Sequence, residues 1–410
     1  MDCSLFQNAQ QIIQGSLRAV LPDEAVRRAL EDFRPRGGKT LLVAAGKAAW
    51  QMAKAAADAL GRVDGGVVAT KYGHVLGDIP GVECLEGGHP VPDENSFAAT
   101  RRALELTAGL SEQDTVLFLL SGGGSALFEK PLIPGGELQD ITNQLLASGA
   151  GIVEMNTLRK RLSGVKGGRF ALHCAPARVF SIVLSDIIGD PLDMIASGPA
   201  YPDSSTREEA LEIVKRYGLR LSPKALALLE EETPKSLKNV ETRITGSVRE
   251  LCAHAAAECE KLGYAPVILT DRLCCEAREA GSFLGSVLKT HAGQGRPTAF
   301  IAGGETVVHL TGKGLGGRNQ ELALAAAPLI AGLPHAAVFS LGSDGTDGPT
   351  DAAGGYVDGG TAAALEKAGV DIPSVLRDND AYHALQKCGG LLMTGPTGTN
   401  VNDVAVGLVQ

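Results

Sequence analysis

One pattern recurs along this chain and restricts what it can fold into. A short apolar run ends in a glycine- or hydroxyl-rich loop, and a helix-compatible segment often follows. Residues 41–45 (LLVAA) lead into Gly46 and an Ala-rich stretch over 48–60. Residues 115–120 (TVLFLL) lead into SGGGS, and 179–184 (VFSIVL) into Ser185-Asp186. Residues 267–270, 338–341 and 391–394 repeat the motif, the last two running into GSDGTDG and GPTGTN. The runs lack polar alternation, as strands buried on both faces do. Strands alternating with helices predict an α/β fold. An excess of glycine, 52 residues without any collagen period, fits many tight turns and close backbone approaches.

One segment departs from the pattern. Residues 298–302 and 306–310 both read as strands, separated by Gly303-Gly304-Glu305. So short a link cannot house a crossover helix, which predicts a hairpin and hence a mixed sheet in the second half. Near the middle, Ser205-Thr206-Arg207-Glu208 reads as a capping box that opens an amphipathic helix with Leu211, Val214 and Tyr217. The polar, Pro-bearing stretch 230–240 then reads as a linker, giving two domains, 1–235 and 236–410.

Charge and composition exclude several functions. A formal net charge of −9 and an aromatic content of 4% disfavour polyanion binding and base-stacking platforms, so no nucleic-acid partner is expected. A small anionic substrate would need a local basic pocket. The eight cysteines form no CxxC, which reads as reduced, mostly buried thiols in a cytoplasmic protein. The N-terminus lacks the basic and apolar regions of a signal peptide, and no apolar run reaches the ~20 residues of a membrane span.

In open α/β sheets ligands bind at the carboxyl ends of strands, so the loops carry the candidate chemistry. Ser121, Gly122, Gly123, Gly124 and Ser125 offer backbone N–H groups and two hydroxyls to phosphate oxygens. No GK[ST] follows, so this is not a Walker loop, and a plain tight turn is the competing reading. Lys47 stands at a helix start, where the dipole disfavours a cation. An anion there would reverse the penalty; otherwise its head group simply escapes into water. Arg318 follows Gly312–Gly317, which formally holds GxGxxG, yet nothing acidic stands about 20 positions on to hold an NAD ribose. Gly316 and Gly317 presenting Arg318 to an oxyanion is the better reading, with a flexible loop as its competitor.

Asp344, Asp347 and Asp351 lie in a glycine loop without EF-hand spacing. Asp344 is placed to act as a base, or one of these carboxylates could take magnesium, against Asx-turn chemistry as the plainer account. Asp186 and Asp190 offer two more carboxylates after a strand. The segment from Asn156 to Arg169 carries Arg159, Lys160, Arg161, Lys166 and Arg169 among glycines, either a local anion site or a solvated face. Thr399 and Asn400 close a further hydroxyl-rich loop, and His89 sits in a motif-like Gly-Gly-His-Pro. Together these features favour phosphoryl transfer involving a small acidic metabolite.

The motifs also match a known family. AAGKAAWQMA from Ala44, GGHPVPDENS from Gly87, LLSGGGSAL from Leu119 and EMNTLRKRLSGVKGGR from Glu154 appear in its order. LSDIIGDPLDMIASGP from Leu184, AGGETVVHLTGKGLGGRNQE from Ala302, SLGSDGTDGPTDAAGG from Ser340 and TGPTGTNVND from Thr394 complete the series. The chain resembles type II glycerate kinases, whose C-terminal region is the MOFRL domain. That resemblance implies an N-terminal Rossmann-like αβα sandwich, a smaller C-terminal α/β domain and an active site in the cleft between them. It implies ATP-dependent phosphorylation of D-glycerate, most often to 2-phosphoglycerate, with Mg²⁺ or a similar ion. By motif match Lys47 and Arg318 take active-site positions. Asp344, with Asp186 as rival, is the expected base. The nucleotide would be held by Ser121–Ser125 with Asn156, Arg161, Lys166, Asp190, Gly316, Gly317, Thr399 and Asn400. No residue is assigned to the metal, and a homodimer stays open. Some proteins of this kind are labelled hydroxypyruvate reductases, so an NAD(P)H-dependent reductase is the alternative function. A non-catalytic metabolite-binding protein is a second rival.

Overall fold

The computed structural model describes residues 2–410, which divide into two compact units. The first comprises Ala25–Leu184 and Asp190–Thr245. The second comprises the residues up to Glu24, Ser185–Gly189 and Gly246–Gln410. The units are therefore interleaved along the chain, and the whole 230–240 stretch lies inside the first unit. There Thr233 is buried and its hydroxyl donates to Asp203 Oδ2 at 2.7 Å, so the polarity that suggests a linker serves internal packing instead.

The first unit is built on a six-stranded sheet of β1 (Thr40–Ala45), β2 (Gly65–Lys71), β3 (Val82–Gly87), β4 (Thr115–Leu120), β5 (Arg178–Leu184) and β6 (Val240–Gly246). Their spatial order is β3-β2-β1-β4-β5-β6, with parallel pairing from β3 through β5. Every residue of β1 and β4 is buried, because helices cover both faces. On one face Leu42, Ala44, Leu117 and Leu119 pack on Met52, Ala53 and Ala56 of the helix Ala49–Leu60. On the other, Phe118 meets Phe170 at 4.8 Å and Phe128 at 5.6 Å between ring centroids. Trp50 is only half-buried and donates its indole N–H to Gly77 O at 2.8 Å, rather than sinking into the core. The capping box at the helix Arg207–Tyr217 is formed by Thr206 and Glu209, one residue later than the sequence suggests, and Ala210 and Ile213 are its buried positions.

The second unit holds β7 (Ala265–Leu273), β8 (Thr298–Gly304), β9 (Ala336–Gly342), β10 (Gly354–Asp358), β11 (Leu391–Leu392) and β12 (Asp403–Val409), in the order β11-β10-β9-β12-β8-β7. The sheet is mixed: β7 and β8 are parallel, whereas β8–β12, β12–β9, β9–β10 and β10–β11 are antiparallel. The predicted hairpin is absent. After β8 the chain makes one isolated parallel bridge, Val307 to Glu276, and otherwise no strand before the helix Arg318–Ala326. The place beside β8 is already filled by β12 on one side and β7 on the other. β7 is also not buried on both faces; as an edge strand it leaves Val267, Ile268 and Leu269 exposed. One face of the sheet is covered by the helices Cys3–Ala19 and Val248–Lys261, through Leu5, Ile12, Leu251 and Phe339. The other is covered by Ala277–His291 and Arg318–Ala326. No described helix is long and apolar enough to cross a membrane. Among the cysteines, which are free thiols, Cys3, Cys274 and Cys275 are exposed, so burial is less general than expected.

Candidate functional site

In the first unit the strand order reverses between β1 and β4, the kind of point where α/β sheets open a crevice for ligands. The register pairs Ala45 with Leu120, so Lys47 and Ser121 leave the sheet side by side. The two loops are stitched together. Lys47 N–H donates to Gly122 O at 2.9 Å, and Ala48 N–H donates to Ser121 Oγ at 3.1 Å. Ser121, 3% exposed, is thus a brace for the turn. The Lys47 carbonyl accepts from Thr70 Oγ1 at 3.3 Å and lies 2.9 Å from His74 Nδ1, which pins its backbone. Its side chain is exposed and makes no hydrogen bond or ion pair with the described residues.

Gly123 adopts φ 84°, and a Cβ there would come within 3.0 Å of the His89 ring and 3.2 Å of the Lys47 side chain. Glycine is therefore required where these two side chains converge on the loop. Burial holds the His89 pKa below its ordinary value, helped by the charges of Lys47 and Lys71. His89 is consequently neutral near pH 7 and the corner is electropositive. The helix after the loop is short, Gly124–Leu127, so its dipole contributes little and the loop amides matter more.

The basic segment turns inward. Lys166 is fully buried, and its ammonium donates to Ser125 O at 2.8 Å and Phe128 O at 3.0 Å and pairs with Glu129 Oε2 at 2.7 Å. An ammonium has three donors, so none is left for a phosphate. Arg161 is equally buried and donates to Thr157 O, Ser205 Oγ and Ser205 O, each at 2.9 Å. Lys160 pairs with Asp203 at 2.9 Å and Asp193 at 3.1 Å, and Arg169 caps three carbonyls. Asn156 is buried and accepts from Ser197 Oγ at 3.0 Å, with Ser197 in turn 3.4 Å from Ser125 Oγ. Of the run, Arg159 alone is partly exposed without a hydrogen bond to the described residues. Asp190 sits at φ 52° with a buried Oδ1 that has no partner.

In the second unit Arg318 is held tightly. Its Nε donates to Asp403 Oδ2 at 2.5 Å and its Nη2 to Asp403 Oδ1 at 3.0 Å, while Nη1 lies 3.2 Å from Glu305 Oε1. The Asp403 bond raises the Arg318 pKa further, and burial pushes the Asp403 carboxyl up. The network continues: Asn402 Nδ2 donates to Glu305 Oε2 at 3.4 Å and to the Asp186 carbonyl at 3.3 Å. Asp186 itself thus lies near Arg318 through two intermediaries.

The acidic loop divides its labour. Asp347 is 3% exposed and accepts Asn319 N–H at 3.1 Å and Gln320 N–H at 2.9 Å, capping the helix that begins at Arg318. Burial pushes its carboxyl up to about 6. Asp344 is half-buried and makes an Asx turn, Oδ1 accepting Thr346 N–H at 3.0 Å. The glycines before Arg318 serve packing. A Cβ at Gly312 would fall 2.3 Å from Asp378 Cα, and one at Gly317 would fall 2.2 Å from the Asp347 carboxylate. Gly316 likewise lies against Ala381 and Asn379. Thr399 donates to Val20 O at 3.0 Å from a buried position, while Asn400 is exposed and accepts Asn402 N–H at 3.3 Å. Among the described residues no three His, Cys, Asp or Glu side chains gather as a metal site. Asp403, Glu305 and Lys71 are charged residues that sequence reasoning did not assign to the site, whereas Arg159 belongs to the basic run already considered as a local anion site. Asp403 alone had a signal, standing just after the TGTN loop.

This arrangement is that of a two-unit α/β protein with Rossmann-type strand order in its first unit, and comparison with known proteins narrows it. Residues 8–230 match a family described as a domain of unknown function (DUF4147), and residues 298–403 match the MOFRL family. A D-glycerate 2-kinase of Thermotoga maritima is 53% identical over 99% of both chains. A glycerate 2-kinase of Pyrococcus horikoshii is 42% identical over 91% of this chain and 88% of its own. The crystal structure of a glycerate kinase from Thermotoga maritima superposes with a TM-score of 0.94 at 52% identity, covering 99% of this chain and all of that one. The chain belongs to the glycerate kinase family whose C-terminal region is the MOFRL domain.

Proposed function

We propose that this protein transfers the γ-phosphoryl group of ATP to the 2-hydroxyl of D-glycerate, forming 2-phospho-D-glycerate and ADP. The observation that carries the reading is the 53% identity to a D-glycerate 2-kinase along the whole chain. The geometry supports it: an unpartnered Lys47 beside a glycine loop at the reversal of strand order suits a transferred phosphoryl group. In the reaction the hydroxyl oxygen bonds to the γ-phosphorus while the bond to the β–γ bridging oxygen breaks. The hydroxyl proton passes to a carboxylate, for which Asp344 and Asp186 remain the candidates. Lys47 and the amides of Gly122–Gly124 neutralise the transferred group. Arg318, preset by Asp403 and Glu305, anchors the glycerate carboxylate.

When bound with the nucleotide, Mg²⁺ would supply charge neutralisation to the phosphates, with a carboxylate of the 344–351 loop to hold it. The free thiols accord with a cytoplasmic setting. A reductase reading gains nothing from Gly312–Gly317, whose glycines pack on residues 378–381 and on Asp347.

Phosphorus NMR of the protein with D-glycerate, ATP and Mg²⁺ tests the proposal. A 2-phosphoglycerate resonance growing with ADP is expected. A 3-phosphoglycerate resonance would correct the position, and no phosphorylated product from folded protein would overturn the kinase reading.

A further inference from the structure

A cavity in the first unit has a volume of about 890 Å³, far more than a three-carbon acid needs. It is walled by the loop from His89 to Glu94, by Gly123 and Ser125, and by the helices Gly135–Ala147 and Ile152–Arg161. Its body is apolar: Phe97, Leu138 and Met155 are buried, and Leu146 and Ile152 stand exposed at 59% and 61%. Polar side chains line it as well, and several are engaged, Asp93 by Ser96 N–H, Gln139 by Asn143 and Thr142 by Leu138 O, but two carry unused groups. Glu129 is 3% exposed, and its Oε1 accepts no hydrogen bond although Oε2 is held by Lys166. Arg159 faces the same cavity with no hydrogen bond to the described residues, electrostatically coupled to Glu129.

Volume, apolar walls, a free guanidinium and a carboxylate oxygen wanting a donor describe one ligand chemistry: a flat apolar body, a hydroxyl-bearing linker and a polyanionic tail. We propose that this cavity is the nucleoside subsite for ATP. The base packs against Leu146 and Ile152, a ribose hydroxyl donates to Glu129 Oε1, and Arg159 pairs with the phosphates on their way to the Ser121–Ser125 loop. The proposal rests on the kinase reading for the identity of the ligand, but locates it on residues that reading does not use. Gly123 and Ser125 belong both to the loop and to the cavity wall, which joins the two regions.

Calorimetric titration with ADP, adenosine and inorganic tripolyphosphate, without glycerate, tests it. Arg159→Gln removes a side chain with no internal bonds and should fold normally. It should weaken ADP and tripolyphosphate at least tenfold and leave adenosine within about twofold, since a charge-assisted hydrogen bond is lost. Leu146→Asp should weaken ADP and adenosine and spare tripolyphosphate. In the coupled assay the KM for D-glycerate should hold in Arg159→Gln while that for ATP rises. Unchanged ADP affinity in both variants would overturn the subsite, whatever the activity. A raised KM for glycerate with unchanged ADP binding would reassign the cavity to the acid. Failure of the kinase reading is separate: it would show as absent product in the wild type.

Discussion

Replacing Lys166 by methionine separates an internal brace from a nucleotide contact. The ammonium is fully buried, and its three donors go to Glu129, Ser125 O and Phe128 O. Methionine keeps most of the volume but leaves the Glu129 carboxylate buried and uncompensated. Breaking one side of such a pair costs about 3–5 kcal/mol. For a unit of this size each kcal/mol lowers Tm by roughly 2–4 °C, so a fall of ~6–20 °C is expected. Adding Glu129→Leu removes the stranded charge, and the double variant should regain more than half of that loss, short of the wild type because two carbonyls stay unmatched. Thermal unfolding by circular dichroism reads both numbers. A coupled ADP-release assay well below the transition reads the KM for ATP, which should stay within a few-fold in Lys166→Met. A Tm within 2 °C of wild type would refute the brace. A tenfold higher KM for ATP at unchanged Tm would show that the ammonium reaches the nucleotide.

Two further outcomes are expected. Arg318→Lys cannot reproduce the two-point contact with Asp403 together with that to Glu305, so kcat/KM should fall tenfold or more with Tm nearly unchanged; a value within twofold would remove the fork from the mechanism. Asp347, raised to about 6 by burial against an unfolded value of ~3.9, binds more protons folded than unfolded. Its contribution is therefore full below ~4 and is lost as pH rises through about 6. Against Asp347→Asn, which does not titrate, wild-type stability should gain about 1 kcal/mol on going from pH 7.5 to 5, and a pH-independent difference in denaturant unfolding would refute the assignment.

The parallel core was legible because unbroken apolar runs such as 115–120 can only be strands covered on both sides. The position of Lys47 after β1 was legible for the same reason: a strand end followed by glycine locates itself. The basic segment was not. Charge in a sequence does not say whether carboxylates from far away, here Glu129 and Asp203, turn it inward. Nor could Asp403 be tied to Arg318, since their meeting depends on β12 pairing with β8 and β9. The missing hairpin has the same origin, because the edge that residues 306–310 would have joined is taken by strands distant in sequence.

The helix Cys3–Ala19 belongs to the sheet formed by residues beyond 246, with Leu5, Ala9, Ile12 and Ile13 buried there. During synthesis this helix emerges before residues 25–245, yet its partners follow only after them. Its apolar face stays uncovered while the whole first unit is made, so that interval is when the growing chain is most prone to aggregate and most in need of a holding chaperone.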